Sequence, residues 1–227
     1  MRFATIAGLA VIIPLAAAGC SSGAAPAPAP TVSATASGLT GTQLKATLVT
    51  QVPSGFTLNK SATVDSGGAA QPPSAGAMKT KSHCADLNAT AFVQASGASG
   101  VGFAQSDYLD SQQNEISQEV DSFASTADAA KAMTALKKFF RQCSKFSYKQ
   151  GSQTFSVKFV TSSASGLGAG AFKGVMTSSG WVGGSTLVAS QQGPCVITAF
   201  YSTQASNHGS PILAIAEKIR RNLTTVQ

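Results

Sequence analysis

The stretch from Ser125 to Cys143 constrains the fold more than any other. Ser125 followed three residues later by Asp128 has the spacing of a capping box. Ala129, Ala132, Met133, Leu136, Phe139, Phe140 and Cys143 then recur at helical spacing, while Lys131, Lys137, Lys138 and Arg141 fall off that stripe. The spacing predicts an amphipathic helix with one buried face and cations gathered toward its C-terminal end, where they complement the helix dipole. Its last core-facing position is a cysteine, available for tying to another part of the chain.

A helix of this kind needs a surface to pack on, and the flanking segments supply it. Val101, Phe103 and Tyr108 outline one strand, and Ile116, Gln118 and Val120 a second. After the helix, Phe155, Val157 and Phe159 alternate with polar residues, and three more strands follow at 171–177, 186–190 and 196–201. Turns at Gly180, at Gly183-Gly184 and at Gln192-Gly193-Pro194 separate them, and strands joined by such short turns are antiparallel. A second long helix closes the sequence: Ser210 stands at its N-cap, Pro211 at the first helical position, and Ile212, Ile215, Ala216, Ile219 and Leu223 form its buried stripe. The expectation is an α+β domain with a twisted antiparallel sheet of about five to six strands. Both long helices are expected on one face, with the other face open for recognition.

Shorter elements precede this. Thr42 can cap a short helix with Leu44, Leu48 and Val49 on one side, stopped by Pro53. An extended piece follows around Phe56 to Leu58, then a glycine- and proline-rich loop from Asp65 to Gly76, and a short helix is expected from His83 to Val93.

The N-terminus addresses location. Arg2 supplies a positive start, Ile6 to Leu15 an apolar run too short to span a bilayer, and Ala17-Ala18-Gly19-Cys20 a small-residue site ending in cysteine. This resembles a bacterial lipoprotein signal peptide, with Ala17 where the family prefers Leu. Residues 1–19 are then the signal peptide, and Cys20 the residue modified by lipid such as palmitate. Residues 20–38 are an Ala/Pro/Ser/Thr tether that cannot fold, and 39–227 a single domain. The protein is expected on the extracytoplasmic face of the cell membrane, held by its lipid.

In that compartment a disulfide persists, so the other cysteines matter. Cys84, Cys143 and Cys195 allow one pair and one leftover. Cys84 opens one helical segment and Cys143 closes another, which favours their pairing; Cys195 begins an apolar strand and reads as a small buried hydrophobe.

Chemistry is sparse. Six of the nine carboxylates fall between Asp107 and Asp128, but no calcium-loop spacing is present. Glu115, Glu119 and Asp121 alternate with the apolar residues and are expected on a solvated strand face. Gly166-Leu167-Gly168-Ala169-Gly170-Ala171 loosely resembles a dinucleotide-binding loop, yet a strand rather than a helix should follow it, which makes it a hairpin connection. No nucleophile elbow or zinc spacing exists, so no enzyme activity, metal or other cofactor is expected. The net charge of +7 is spread without a Lys/Arg run, which gives a basic surface and no nucleic-acid partner. Trp181, Tyr108 and Tyr201, near strand ends, are the candidate ligand-binding aromatics.

The order of these features is itself informative. The lipoprotein signal and tether are followed by Val52-Pro53-Ser54-Gly55-Phe56, then Cys84-Ala85-Asp86-Leu87. After these come Ser122-Phe123-Ala124-Ser125 running into the Ala-rich helix, and Phe139-Phe140-Arg141-Gln142-Cys143. This resembles the actinobacterial, mycobacterial-type lipoproteins that share a domain with the extracellular sensor of the receptor kinase PknH. The resemblance covers most of the chain from Leu39 onward. It implies an antiparallel sheet with helices on one side, a ligand cleft, and support for the Cys84–Cys143 pairing. The kinase sensor has a second late disulfide, for which Cys195 has no partner here. With no kinase domain or membrane span after Gln227, this sequence is expected to recognise rather than transmit by itself. The expected function is a sensor-like module binding a small or lipid-like envelope molecule; the alternative is a structural or protein–protein interaction module of the envelope.

Overall fold

The computed structural model describes residues 38–69, 84, 92–150, 152–178, 180, 183–203 and 210–227. The signal segment, Cys20, nearly all of the tether, Trp181 and most of the helix expected at His83 to Val93 lie outside them. In chain order the described elements are α1 (Gly41–Lys45), β1 (Thr57–Asp65), α2 (Phe92–Ala95), β2 (Gly102–Leu109), β3 (Glu115–Ser122) and α3 (Thr126–Gln142). These are followed by β4 (Lys145–Gln150), β5 (Gln153–Ser163), β6 (Phe172–Ser178), β7 (Gly184–Gln192), β8 (Cys195–Thr203) and α4 (Ser210–Leu223).

α3 forms where its stripe predicts. Ser125 Oγ accepts a hydrogen bond from the Asp128 backbone N–H at 3.1 Å and donates to the Asp128 carboxylate at 2.7 Å. That replaces the reciprocal bond of a full capping box, in which the third residue's side chain would reach the cap's own N–H. A complete box occurs at α1 instead: Thr40 Oγ1 accepts from Gln43 N–H, and Gln43 Oε1 accepts from Thr40 N–H. Thr40 is therefore the cap, two residues before the one expected.

One sheet contains all eight strands in the order β1-β2-β3-β8-β7-β6-β5-β4, each antiparallel to its neighbours. This corrects the expected five to six strands. The additional strands, β1 and β4, are the two edges; β1 is poor in the alternating apolar residues that betray a strand, and β4 is a six-residue segment whose alternation is confined to Phe146 and Tyr148. β1 reads Thr-Leu-Asn-Lys-Ser-Ala-Thr-Val-Asp, mostly exposed and interrupted by a register shift between Asn59 and Val64. Lysines on both strands protect these edges from pairing with other chains.

The placement of the helices is also corrected. α3 lies over β5, β7 and β8 on one face, joined by α2, and its stripe packs with Leu187, Ala189, Val196 and Phe200. α4 lies over β7 and β8 on the opposite face, joined by α1, and packs with Val188, Cys195, Ile197 and Ala199. The alternation of these two sets along β7 and β8 shows that the central strands are buried on both sides. The topology requires this: the chain leaves β3, crosses one face as α3 to reach the far edge at β4, and then meanders back to pair β8 with β3. α4 then takes the uncovered face.

Phe140 is the centre of the α3-side core. It stacks on Phe159 at 4.8 Å between centroids and meets Phe172 edge-on and Phe139 tilted, each at 5.6 Å, with Phe92 at 6.1 Å. The Phe159 ring lies across Gly174 of β6, in space that a side chain there would occupy. On the other face, buried Gln118 binds the backbone of Val49 twice: Val49 N–H donates to Oε1 at 2.8 Å, and Nε2 donates to the Val49 carbonyl at 2.7 Å. These bonds tie the segment after α1 to the central strand.

Cys84 and Cys143 form the expected disulfide, with Cα atoms 5.3 Å apart. Cys195 is free and buried, and burial pushes its thiol up to about 11. In the protein carrying Cys20→Ala, thiol titration after denaturation without reductant is expected to find one thiol. Reduction should then lower stability by about 4 kcal/mol, the loop-entropy value for this separation; three thiols in the unreduced protein would disprove the bond.

Candidate functional site

A cavity lies where α3 ends beside the β5–β6 connection. Lys137 and Arg141 are one turn apart on α3 and line one wall. β5 continues to Ser163 and contributes Thr161 and Ser163 to the floor, and the loop 164–171 forms the opposite wall before the chain re-enters the sheet as Phe172. The cleft measures about 630 Å³.

The loop is held from the α4 side of the sheet. Leu167 at its centre is buried in the α4-side core. Arg220 of α4 donates through Nη1 to the Gly166 carbonyl at 3.3 Å and through Nε to Gln192 Oε1 at 3.0 Å. Gly168 and Gly170 take φ values of 91° and 79°, in the left-handed region that favours glycine. A Cβ at Gly168 would lie 3.5 Å from Arg220 Nη2, and one at Gly170 would lie 3.4 Å from Lys137 Nζ. The glycines thus let the connection pass close to a cation on each side. As expected, the segment joins two strands and opens no helix.

Lys137 Nζ stands 5.9 Å from the Phe172 ring centroid, a cation–π contact that holds the ammonium at the cleft wall. Among the described residues, no carboxylate lines the cavity. The ion pairs among the described residues are Lys45–Asp65, Lys131–Asp128 and Arg221–Glu217, which leaves Lys137 and Arg141 without an acidic partner there. In the sequence these two cations read only as complements to the helix dipole. The fold that brings the Thr161–Ser165 hydroxyls to the same cleft depends on the β4–β5 hairpin that follows α3 and on the loop's anchoring to α4, which local pattern does not reveal.

The aromatics proposed from sequence sit elsewhere. Tyr108 and Tyr201 fall in one row of the α4-side face with Ile116 between them. Tyr108 is buried, and its hydroxyl donates to the Val49 carbonyl at 3.1 Å. Tyr201 packs at a tilt against Phe56, 6.3 Å between centroids. Neither lines the cleft. Trp181 lies outside the described residues.

The carboxylates of β2 and β3 differ most from expectation. Asp107, Glu119 and Asp121 are 4%, 2% and 2% exposed rather than solvated. They face the α3 side, since Asp121 pairs with Val196 and Glu119 with Thr198 on β8. Among the described residues, the oxygens Asp107 Oδ1, Glu119 Oε2 and Asp121 Oδ2 find no hydrogen-bond partner. Burial raises Glu119 well above the usual carboxylate range, and the neighbouring Asp121 charge raises it further. Burial also raises Asp121, partly offset by its hydrogen bond with Glu119, so the pair retains protons where exposed carboxylates have lost theirs. Burial raises Asp107 against the opposing hydrogen bonds from Ser117 and Gln105, and burial with the Asp107 charge lifts Glu115 to about 7. Among the described residues, no three His, Cys, Asp or Glu side chains are placed to hold a metal ion, and no helix is long and apolar enough to cross a membrane.

This architecture has a solved counterpart. The fold is that of the extracellular domain of PknH from Mycobacterium tuberculosis. The match has a TM-score of 0.59 and 13% sequence identity, and covers 82% of this chain and 97% of that one. No family model and no curated protein sequence matches the chain. At this identity the likeness to the PknH domain establishes a shared fold, in accord with the resemblance in the order of sequence features.

The carboxylate row predicts an unusual pH dependence. Each group holds its proton to higher pH in the folded state than in the unfolded chain. Its contribution is therefore complete below the ordinary carboxylate pKa and is lost as pH rises through the elevated folded values, about 7 for Glu115. Thermal melts should show stability falling from pH 5 to pH 8, and Asp121→Asn should flatten that slope and raise the melting temperature at pH 8. A profile in which Asp121→Asn changes nothing would place the carboxylate in water.

Proposed function

We propose that this chain is a lipid-anchored, extracytoplasmic sensor-like module that binds a small ligand in the cleft beside α3 and catalyses no reaction. The carrying observation is the cleft itself: about 630 Å³, within the size range of small-molecule sites, with a wall anchored to α4 through Arg220. Its lining offers hydrogen-bond donors and positive charge. The lipoprotein-type signal ending at Cys20 supports the anchor. The fold shared with an extracellular domain supports the compartment and the sensor-like role.

The location of the cavity alters the sequence-based reading. Ligand capture was expected on an open sheet face, but helices occupy both faces, and the cleft lies at the margin of one of them with a lining as apolar as it is polar. A second reading, a structural or protein–protein interaction module of the envelope, draws on that coverage of both faces.

Two measurements test the proposal in a lipoprotein-processing bacterial host. Palmitate should label the protein, and Cys20→Ser should abolish the label. Native mass spectrometry of the purified protein should show a bound small molecule that is lost in Ser163→Trp, which fills the cleft. An unlabelled protein would remove the anchor. A mass unchanged by Ser163→Trp, together with recovery of a cross-linked envelope protein, would favour the interaction module.

A further inference from the structure

On the reading that this cleft is the binding site, we infer that its ligand presents an oxyanion, a phosphate-type group gripped by Lys137 and Arg141 with hydroxyl donors from β5. The cleft's lining is one-sided. Lys137 and Arg141 form one wall, Thr161 and Ser163 provide hydroxyls, and among the described residues no acidic side chain lines the space to neutralise the cations. Arg141 supplies a planar fork of N–H donors and Lys137 a point charge, a combination suited to a tetrahedral oxyanion. The packing of the Lys137 ammonium toward the Phe172 ring restricts it to the cleft wall, which reduces the ordering cost of binding.

The remainder of the lining argues against a long hydrocarbon ligand. Among the described residues, apolar side chains in the cleft are confined to Ala164, Ala171 and Phe172. A lipid would therefore be held by its headgroup. The same chemistry would be met by a phospholipid headgroup or by a soluble phosphorylated compound, two sources that experiment separates.

The test is to titrate the isotopically labelled, purified protein while following backbone amide resonances. The probes are inorganic phosphate, a short-chain water-soluble phosphatidylglycerol, and trehalose as a neutral control. Phosphate should shift resonances of residues 161–170, with affinity falling as salt is raised. Lys137→Ala and Arg141→Ala should each weaken binding by about tenfold or more, the scale of a charged hydrogen bond. Lys131→Ala, on the same helix but paired with Asp128, should leave binding unchanged. Tighter binding of phosphatidylglycerol than of phosphate would identify a lipid headgroup as the source, and weaker binding a soluble phosphorylated ligand. If trehalose shifts the cleft and phosphate does not, the oxyanion inference is wrong while the binding site stands. If no probe shifts the cleft and native mass spectrometry finds no bound molecule, both fail.

Discussion

The pairing of β3 with β8 is the constraint on which the rest of the structure depends. It joins residues 115–122 to residues 195–202 in an unbroken antiparallel register, and nothing local brings these segments together. Everything between them, α3 and four strands, is a long excursion that must return to the same place. α3 is consequently a crossover confined to one face, β4 is placed at the far edge, and the remaining strands have a single route back. With β2 on one side and β8 on the other, β3 becomes an interior strand. Its carboxylates are buried by this topology, since an edge position would have left one flank of the strand open to water.

What could be read from the sequence follows from this distinction between local and returning structure. The stripe from Ala129 to Cys143 identified α3, and the stripe from Ile212 to Leu223 identified α4, because a helix records its buried face within a few turns. The disulfide was legible because both cysteines mark ends of recognisable segments. The faces were harder. β8 reads Cys-Val-Ile-Thr-Ala-Phe-Tyr, a nearly continuous apolar run, and such a run signals burial on both sides. It was the available clue that helices cover opposite faces. The edge strands left a weak trace because β1 is largely exposed and carries few apolar side chains. Glu119 and Asp121 alternate with Ile116 and Val120 as residues on a wet face would, and only the distant partner strand reveals that the face is dry.

The cleft was illegible for a related reason. Its parts were each visible as something ordinary: cations at a helix end, a glycine-rich hairpin, serines after a strand. Their convergence depends on Leu167 and Arg220 anchoring the β5–β6 connection to the α4 side while Lys137 approaches it from the α3 side. The same loop therefore buttresses both layers and supplies one wall of the cavity. A change in how α4 seats on the sheet would move that wall without altering any residue exposed in the cavity.

Phe159 and Gly174 show how closely the α3-side core is fitted. They are diagonal neighbours across β5 and β6, Phe159 pairing with Met176 and Gly174 with Thr161, and the ring of one occupies the volume in which the other would carry a side chain. Phe140 stacks on that same ring. In evolutionary terms the two positions behave as a single site with a fixed allowance of volume. Relatives that enlarge residue 174 must shrink residue 159, and α3 would then have to settle onto a different partner.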